Sequence, residues 1–132
     1  ALSADELAGY EIFKSHGCIS CHQGINIGGN LFQKLGVLGD YFGDRGSVSE
    51  ADYGRYNVTK KEEDRFVFRV PSLRNVGVTA PYFHDGSAAT LEDAVRVMAQ
   101  YQLGRPLTPE KIKLVVAFLK SLTGEYKGAR LQ

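Results

Sequence analysis

The sequence predicts an all-α fold: about three main helices joined by long ordered loops, filling a single domain over residues 1–132. Two observations predict it. Three segments carry apolar residues at helical spacing between recognisable start and stop signals. Between the first and the other two, about forty residues show little periodicity, which is unusual in a compact domain unless the chain wraps something large and rigid. Fifteen glycines in the chain agree with that picture, because a backbone passing close to a bulky body has no room for a Cβ.

The first helix is expected from about Ala4 to about Ser15. Ser3 is its N-cap and Glu6 completes a capping box. Leu7, Tyr10 and Phe13 share one face, with Ile12 beside it, and Gly17 is the stop. From Gly24 to Arg69 the pattern breaks up at Gly28-Gly29, Gly36, Gly39, Gly43 and Gly46. Lys60 to Arg65 is a charge run and reads as a solvated segment. Phe66-Val67-Phe68 reads as a short strand, with Tyr56 to Val58 as its expected partner. The second helix is expected from about Leu91 to about Tyr101. Thr90 is its cap, Asp93 holds the box position, and Leu91, Ala94, Val95 and Met98 lie on one face. Gly104 and Pro106 end it. The third begins at Thr108-Pro109-Glu110, a cap followed by proline at the first helical position. Its stripe is Ile112, Val115, Val116, Leu119 and Leu122, and Gly124 closes it.

Sixteen basic and fifteen acidic residues nearly cancel. A nucleic-acid partner is therefore not expected, since it would call for a basic face. The longest apolar stretch, Ile112 to Leu122, is interrupted by Lys113 and Lys120 and falls short of a membrane span, so a soluble chain is expected. The chain opens at Ala1 without a basic and apolar leader; either there was none or it has been removed.

Chemistry concentrates at Cys18-Ile19-Ser20-Cys21-His22, a CxxCH sequence and the attachment pattern of c-type haem. One turn of chain places two thiols to form thioethers with the two haem vinyl groups, and the adjacent His22 becomes the proximal iron ligand. Three other readings compete. A thioredoxin-like CxxC needs a strand before it and a helix after it, whereas here a helix precedes and a glycine-rich loop follows. A zinc site drawing on His16, His22 or His84 lacks the usual second pair of ligands. A disulfide between Cys18 and Cys21 would enclose too little chain to constrain much. Haem c, one group covalently held, is the expected cofactor. Such haems are attached outside the bacterial cytoplasm, so a periplasmic location with a removed signal peptide is expected.

The iron's sixth position decides between electron transfer and chemistry on a small molecule. The chain has one methionine, Met98, and two spare histidines, His16 and His84. Met98 reads either as core packing on its helix or as the axial thioether; in a haem domain this small, ligation is preferred. His84 sits in the turn Pro81-Tyr82-Phe83-His84-Asp85-Gly86 and reads as a second ligand candidate or as a hydrogen-bonded group of the haem pocket. His16 lies too near the attachment motif to cross the ring. Arg69 and Arg74 are candidates for the haem propionates, because an arginine fork matches a carboxylate; ordinary surface charge is the alternative. Leu73, Tyr82, Phe83, Leu91 and Val95 are candidates for the ring's apolar surround.

The stretches CISCHQGINIGG, FRVPSLRNVGVTAPYFHDGSAATLEDAVRVMAQYQLG and VVAFLKSLTGE resemble the C-terminal half of bacterial di-haem cytochrome c peroxidases, over nearly the whole chain. The resemblance implies a cytochrome c-like fold and the high-potential, electron-accepting haem of that family, with His22 and Met98 matching its two axial ligands. The related MauG-type enzymes carry tyrosine at the second ligand, so the methionine speaks against a MauG-like role. The family binds calcium between its two domains, partly through carbonyls in the stretch matching Thr79-Ala80-Pro81; its other ligands come from the second domain, so calcium is not expected of this chain alone. The family's peroxidatic haem has its own CxxCH, and this chain has no second one. It reads either as a free-standing monohaem relative or as a fragment of a longer protein. One-electron transfer is the expected function, with a redox partner protein such as another cytochrome, a cupredoxin or a further haem domain. The alternative is the electron-accepting domain of a peroxide-reducing enzyme, active only with a second haem domain. The family forms dimers, partly through the domain missing here, which leaves a homodimer open.

Overall fold

The computed structural model describes residues 1–126 and 128–131. Helix α1 runs Ala4–Ser15 with the capping box complete: Glu6 N–H donates to Ser3 Oγ at 3.2 Å, and Ser3 N–H donates to Glu6 Oε1 at 2.8 Å. Its buried residues are Gly9 and Phe13, while Leu7, expected on the inner face, is 49% exposed. The reason lies in α5, Pro109–Lys120, which crosses α1 at Gly9. A Cβ at Gly9 would lie 1.8 Å from the Leu114 carbonyl oxygen, so the two backbones touch there and only glycine admits the approach. The contact turns α1 so that Phe13 enters the core and Leu7 faces out.

Helix α5 starts as its sequence requires, with Thr108 Oγ1 accepting from Lys111 N–H and Pro109 at the first helical position. Ile112, Val115, Val116, Phe118 and Leu119 are buried along it. With Phe13, Leu91 and Val95 they form the main core. Phe118 meets Phe13 and Tyr10 at ring separations of 5.3 and 5.1 Å.

Helix α4 spans Leu91–Val97, capped by Thr90, and then widens into one π-helical turn over Met98–Gln102 instead of running on as an α-helix to Tyr101. Contacts at its far end accompany the change. Tyr101 O accepts from Leu38 N–H, and Gln102 accepts from Gly36 and Val37 and donates to Lys34 O. These tie the turn to the glycine-rich loop beside it. The buried stripe of α4 consequently continues from Leu91, Ala94 and Val95 to Ala99, and Met98 is only half-buried.

The middle of the chain holds a two-stranded antiparallel pair, β1 (Phe32–Lys34) with β2 (Val67–Arg69), in the register Phe32↔Arg69, Gln33↔Phe68, Lys34↔Val67. The strand near Phe66–Phe68 was expected and is present, but its partner is not Tyr56 to Val58. Those residues belong to a short helix, α3 (Tyr56–Thr59), because Arg55 N–H donates to Val67 O and docks the chain at its entry into the helical turn. Helix α2, Tyr41–Arg45, is capped by Asp40 and buries Tyr41 and Phe42. Phe42 stacks on Phe66 at 4.8 Å, beginning a second, aromatic cluster beneath the loops. The charge run is exposed at Lys60 to Glu63, but Arg65 lies over Tyr56 at 4.1 Å. A further antiparallel pair joins β3 (Glu125–Tyr126) to β4 (Ala129–Arg130). The fold is thus helix-rich, with two short strand pairs added to the expected helices. Among the described residues no helix is long and apolar enough to cross a membrane.

Candidate haem-attachment site

Helix α1 ends at His16, and Gly17, at φ 103°, turns the chain into a single 3-10 turn over Cys18–Ser20. His22 N–H closes onto the Cys18 carbonyl at 3.1 Å. The two cysteines therefore stand one turn apart, both with free thiols, and Cys18 packs against the main core. Burial pushes the Cys18 thiol up to about 11. Such a sulfur stays protonated and neutral near pH 7 in the chain without a bound group.

The His22 ring lies 6.5 Å from that of Phe13. Burial lowers its pKa, opposed by the carbonyls of Ile27 and Pro71, so the imidazole is held in its neutral, ligating form. Its Nδ1 is buried and has no hydrogen-bond partner within normal geometry. An orphaned buried polar atom calls for an explanation. If Nε2 ligates a metal, Nδ1 must carry the proton, and the flanking carbonyls are the acceptors within reach. Gly28 makes that closeness possible: a Cβ there would lie 2.0 Å from Pro71 O and 3.2 Å from His22 Nδ1. Two free thiols one turn apart beside a half-buried, neutral imidazole fit a covalently attached haem.

The remaining candidates divide. Met98 sits at the junction of α4 and the π turn, half-buried and outside the main core cluster. His84 Nε2 pairs with Asp52 Oδ1 at 2.7 Å, and its ring stacks on Phe68 at 4.4 Å. Arg69 and Arg74 each direct Nε and Nη2 at one backbone carbonyl, that of Gly29 and that of Ile25 respectively. His16 Nε2 donates to the Arg105 carbonyl, back near the first helix as expected. Leu91 and Val95 are core residues, Leu73 and Tyr82 pack against that core, and Phe83 is half-buried at φ 70° against Tyr41.

One cluster escaped the sequence. Asp52, 1% exposed, accepts from both Nη atoms of Arg45, from Ser49 and from His84, and Arg45 also pairs with Asp85. Among the described residues, Asp52, His84 and Asp85 group their side chains as metal ligands would, but the Arg45 guanidinium fills the role of the cation. The capping-box spacing of Ser49 and Asp52 was the available signal.

The fold and attachment turn define a c-type cytochrome kind of domain. No family model matches the chain. It is 47% identical over 131 residues to a cytochrome c551 peroxidase of Nitrosomonas europaea, covering 99% of this chain and 38% of that protein. It is 48% identical over 126 residues to the cytochrome c peroxidase Ccp of Escherichia coli, covering 96% of this chain and 27% of that protein. A solved structure of a MauG-like protein associated with microbial copper homeostasis superposes with a TM-score of 0.76 at 26% identity, over 95% of this chain and 48% of that one. The chain is a homologue of bacterial cytochrome c peroxidases, and it spans about a third of the length of these curated relatives.

Proposed function

We propose that this chain is a one-electron relay built on a single haem c, held by thioethers at Cys18 and Cys21 and by His22 and Met98 as axial ligands. What supports the reading most is the state of Met98. It is the chain's one methionine, and the apolar stripe of α4 passes to Ala99 and leaves it outside the core. Its bland role as filler is therefore weakened, and a half-buried thioether at a π turn, a feature frequent at functional sites, is free to ligate. A bound haem supplies an iron that changes oxidation state by one electron. The chain's part is to keep both axial positions filled, so that no ligand has to leave and reorganisation stays small. A thioether ligand and burial of the ring both favour the ferrous state. Arg69 and Arg74 each keep Nη1 for a propionate in this reading, and His84 remains committed to Asp52.

A second reading follows from the relatives, which are named as peroxidases and whose chains are about three times longer. Here the relay would serve as the electron-accepting part of a peroxide-reducing protein. A closed His/Met iron offers no open site for peroxide, so turnover would need a haem domain supplied elsewhere. Either way the partner is a redox protein and the location the periplasm.

The test is the ferric spectrum of the haem-loaded chain. The long-wavelength sulfur-to-iron charge-transfer band should be present and should vanish in Met98→Ala. A high-spin ferric spectrum with fast cyanide binding would overturn His/Met ligation. Hydrogen-peroxide turnover by the isolated chain with a reduced donor would overturn the relay.

A further inference from the structure

Two arginines that carry no carboxylate partner among the described residues converge on the loop next to His22. Arg69 places Nε and Nη2 at 3.0 and 2.6 Å from the Gly29 carbonyl, and Arg74 places the same atoms at 3.0 and 2.7 Å from the Ile25 carbonyl. Between the two forks the segments are laced together. Gly29 N–H donates to Val70 O at 2.7 Å, Ser72 Oγ to Asn26 O at 2.6 Å, and Leu73 N–H to Ile27 O at 3.1 Å. The two carbonyls that flank His22 Nδ1, those of Ile27 and Pro71, lie one in each laced segment. Gly28 lies against Pro71 with no space for a side chain.

We infer that Arg69 and Arg74 are positioning residues for the axial histidine: by clamping the 25–29 loop onto the 69–74 segment they hold the acceptor carbonyls against His22 Nδ1. The inference rests on the haem reading above. A guanidinium suits the task because its rigid fork grips one oxygen with two donors, which a lysine cannot do. An Nδ1–H held to a carbonyl makes the imidazole a stronger donor to iron and favours the ferric state. Loosening the clamp should therefore raise the midpoint potential.

The variants Arg69→Lys and Arg74→Lys, singly and together, keep the charge and remove the fork. Mass spectrometry first establishes covalent haem on wild type and variants; its absence from wild type sinks the haem reading, a separate failure. With haem in place, the double variant should raise the ferrous-to-ferric ratio at fixed ambient potential by about three- to tenfold, the upper figure being 59 mV for one electron. The His22 Nδ1–H resonance should exchange with water about tenfold faster. The single variants should each give part of both effects, and they carry the test if the double variant does not fold. An unchanged midpoint and exchange rate, even with a lowered Tm, would show that the clamp is only structural and overturn the inference. So would a shift confined to Arg→Gln variants and directed downward, because that is the signature of a lost positive charge near the propionates.

Discussion

Replacing Asp52 with alanine tests whether the aromatic half of the molecule depends on one buried carboxylate. Asp52 is almost wholly enclosed and receives Arg45 Nη2 at 2.5 Å, His84 Nε2 at 2.7 Å and Ser49 N–H at 2.8 Å. Truncation leaves the guanidinium against the Phe42 ring, 5.1 Å away, and leaves the Ser49 amide and His84 without their acceptor. Breaking a buried charge pair costs about 3–5 kcal/mol. The Arg45 side chain is 22% exposed and keeps Asp85, so the lower end applies, about 3 kcal/mol. At this chain length that lowers Tm by roughly 10 °C. The pH dependence gives an independent check. Arg45, opposed by burial and helped by Ser49 and His84, holds the Asp52 carboxyl well below the usual carboxylate range. A depressed folded pKa stabilises fully above the unfolded value of about 3.9 and is lost progressively as pH falls below it. Thermal melts followed by circular dichroism from pH 7 to pH 2 should show wild type and Asp52→Asn far apart at neutral pH and converging in acid. Glu62, depressed by Arg65 away from this cluster, is common to both proteins and cancels in the comparison. A loss under about 1 kcal/mol at pH 7, or a gap that stays constant into acid, would refute the reasoning.

Three further outcomes are expected. Gly9→Ala should destabilise by about 1–3 kcal/mol in chemical unfolding, because forcing a Cβ to 1.8 Å from Leu114 O outweighs the ~1 kcal/mol helix-propensity gain; a stabilised variant would contradict the crossing. Gly28→Ala, at φ 129° and 2.0 Å from Pro71 O, should reduce the yield of covalent haem measured by mass spectrometry and should alter the His22 resonances, whereas Gly29→Ala, with open space around it, should retain more haem. Thr108→Ala should cost about 1 kcal/mol in thermal unfolding through loss of the α5 cap, with the haem spectrum unchanged.

The chain's own order of residues determined the starts of its main helices and the CxxCH motif that carries its chemistry. Ser3 with Glu6, Thr90, and Thr108 with Pro109 are caps whose partners lie within three residues, so local chemistry alone places the starts of α1, α4 and α5. CxxCH is equally local: one turn of backbone brings two thiols and an imidazole together whatever surrounds them. Everything that depended on distant chain was decided by the tertiary structure. Leu7 lost the inner face because Gly9 meets Leu114 across a helix crossing that no periodicity records. The strand partner of Val67–Arg69 proved to be Phe32–Lys34, because pairing is settled by which edge is free after Arg55 docks. Arg69 and Arg74 read from the sequence as surface charge or as propionate holders, and nothing local announces the Gly29 and Ile25 carbonyls that the fold brings under their forks. Asp52 looked like one acid among fifteen, and only burial beside Arg45 and His84 made it structural. A charge or a fork acquires its role from the groups it faces, and those groups lie forty or more residues away along the chain for both arginines.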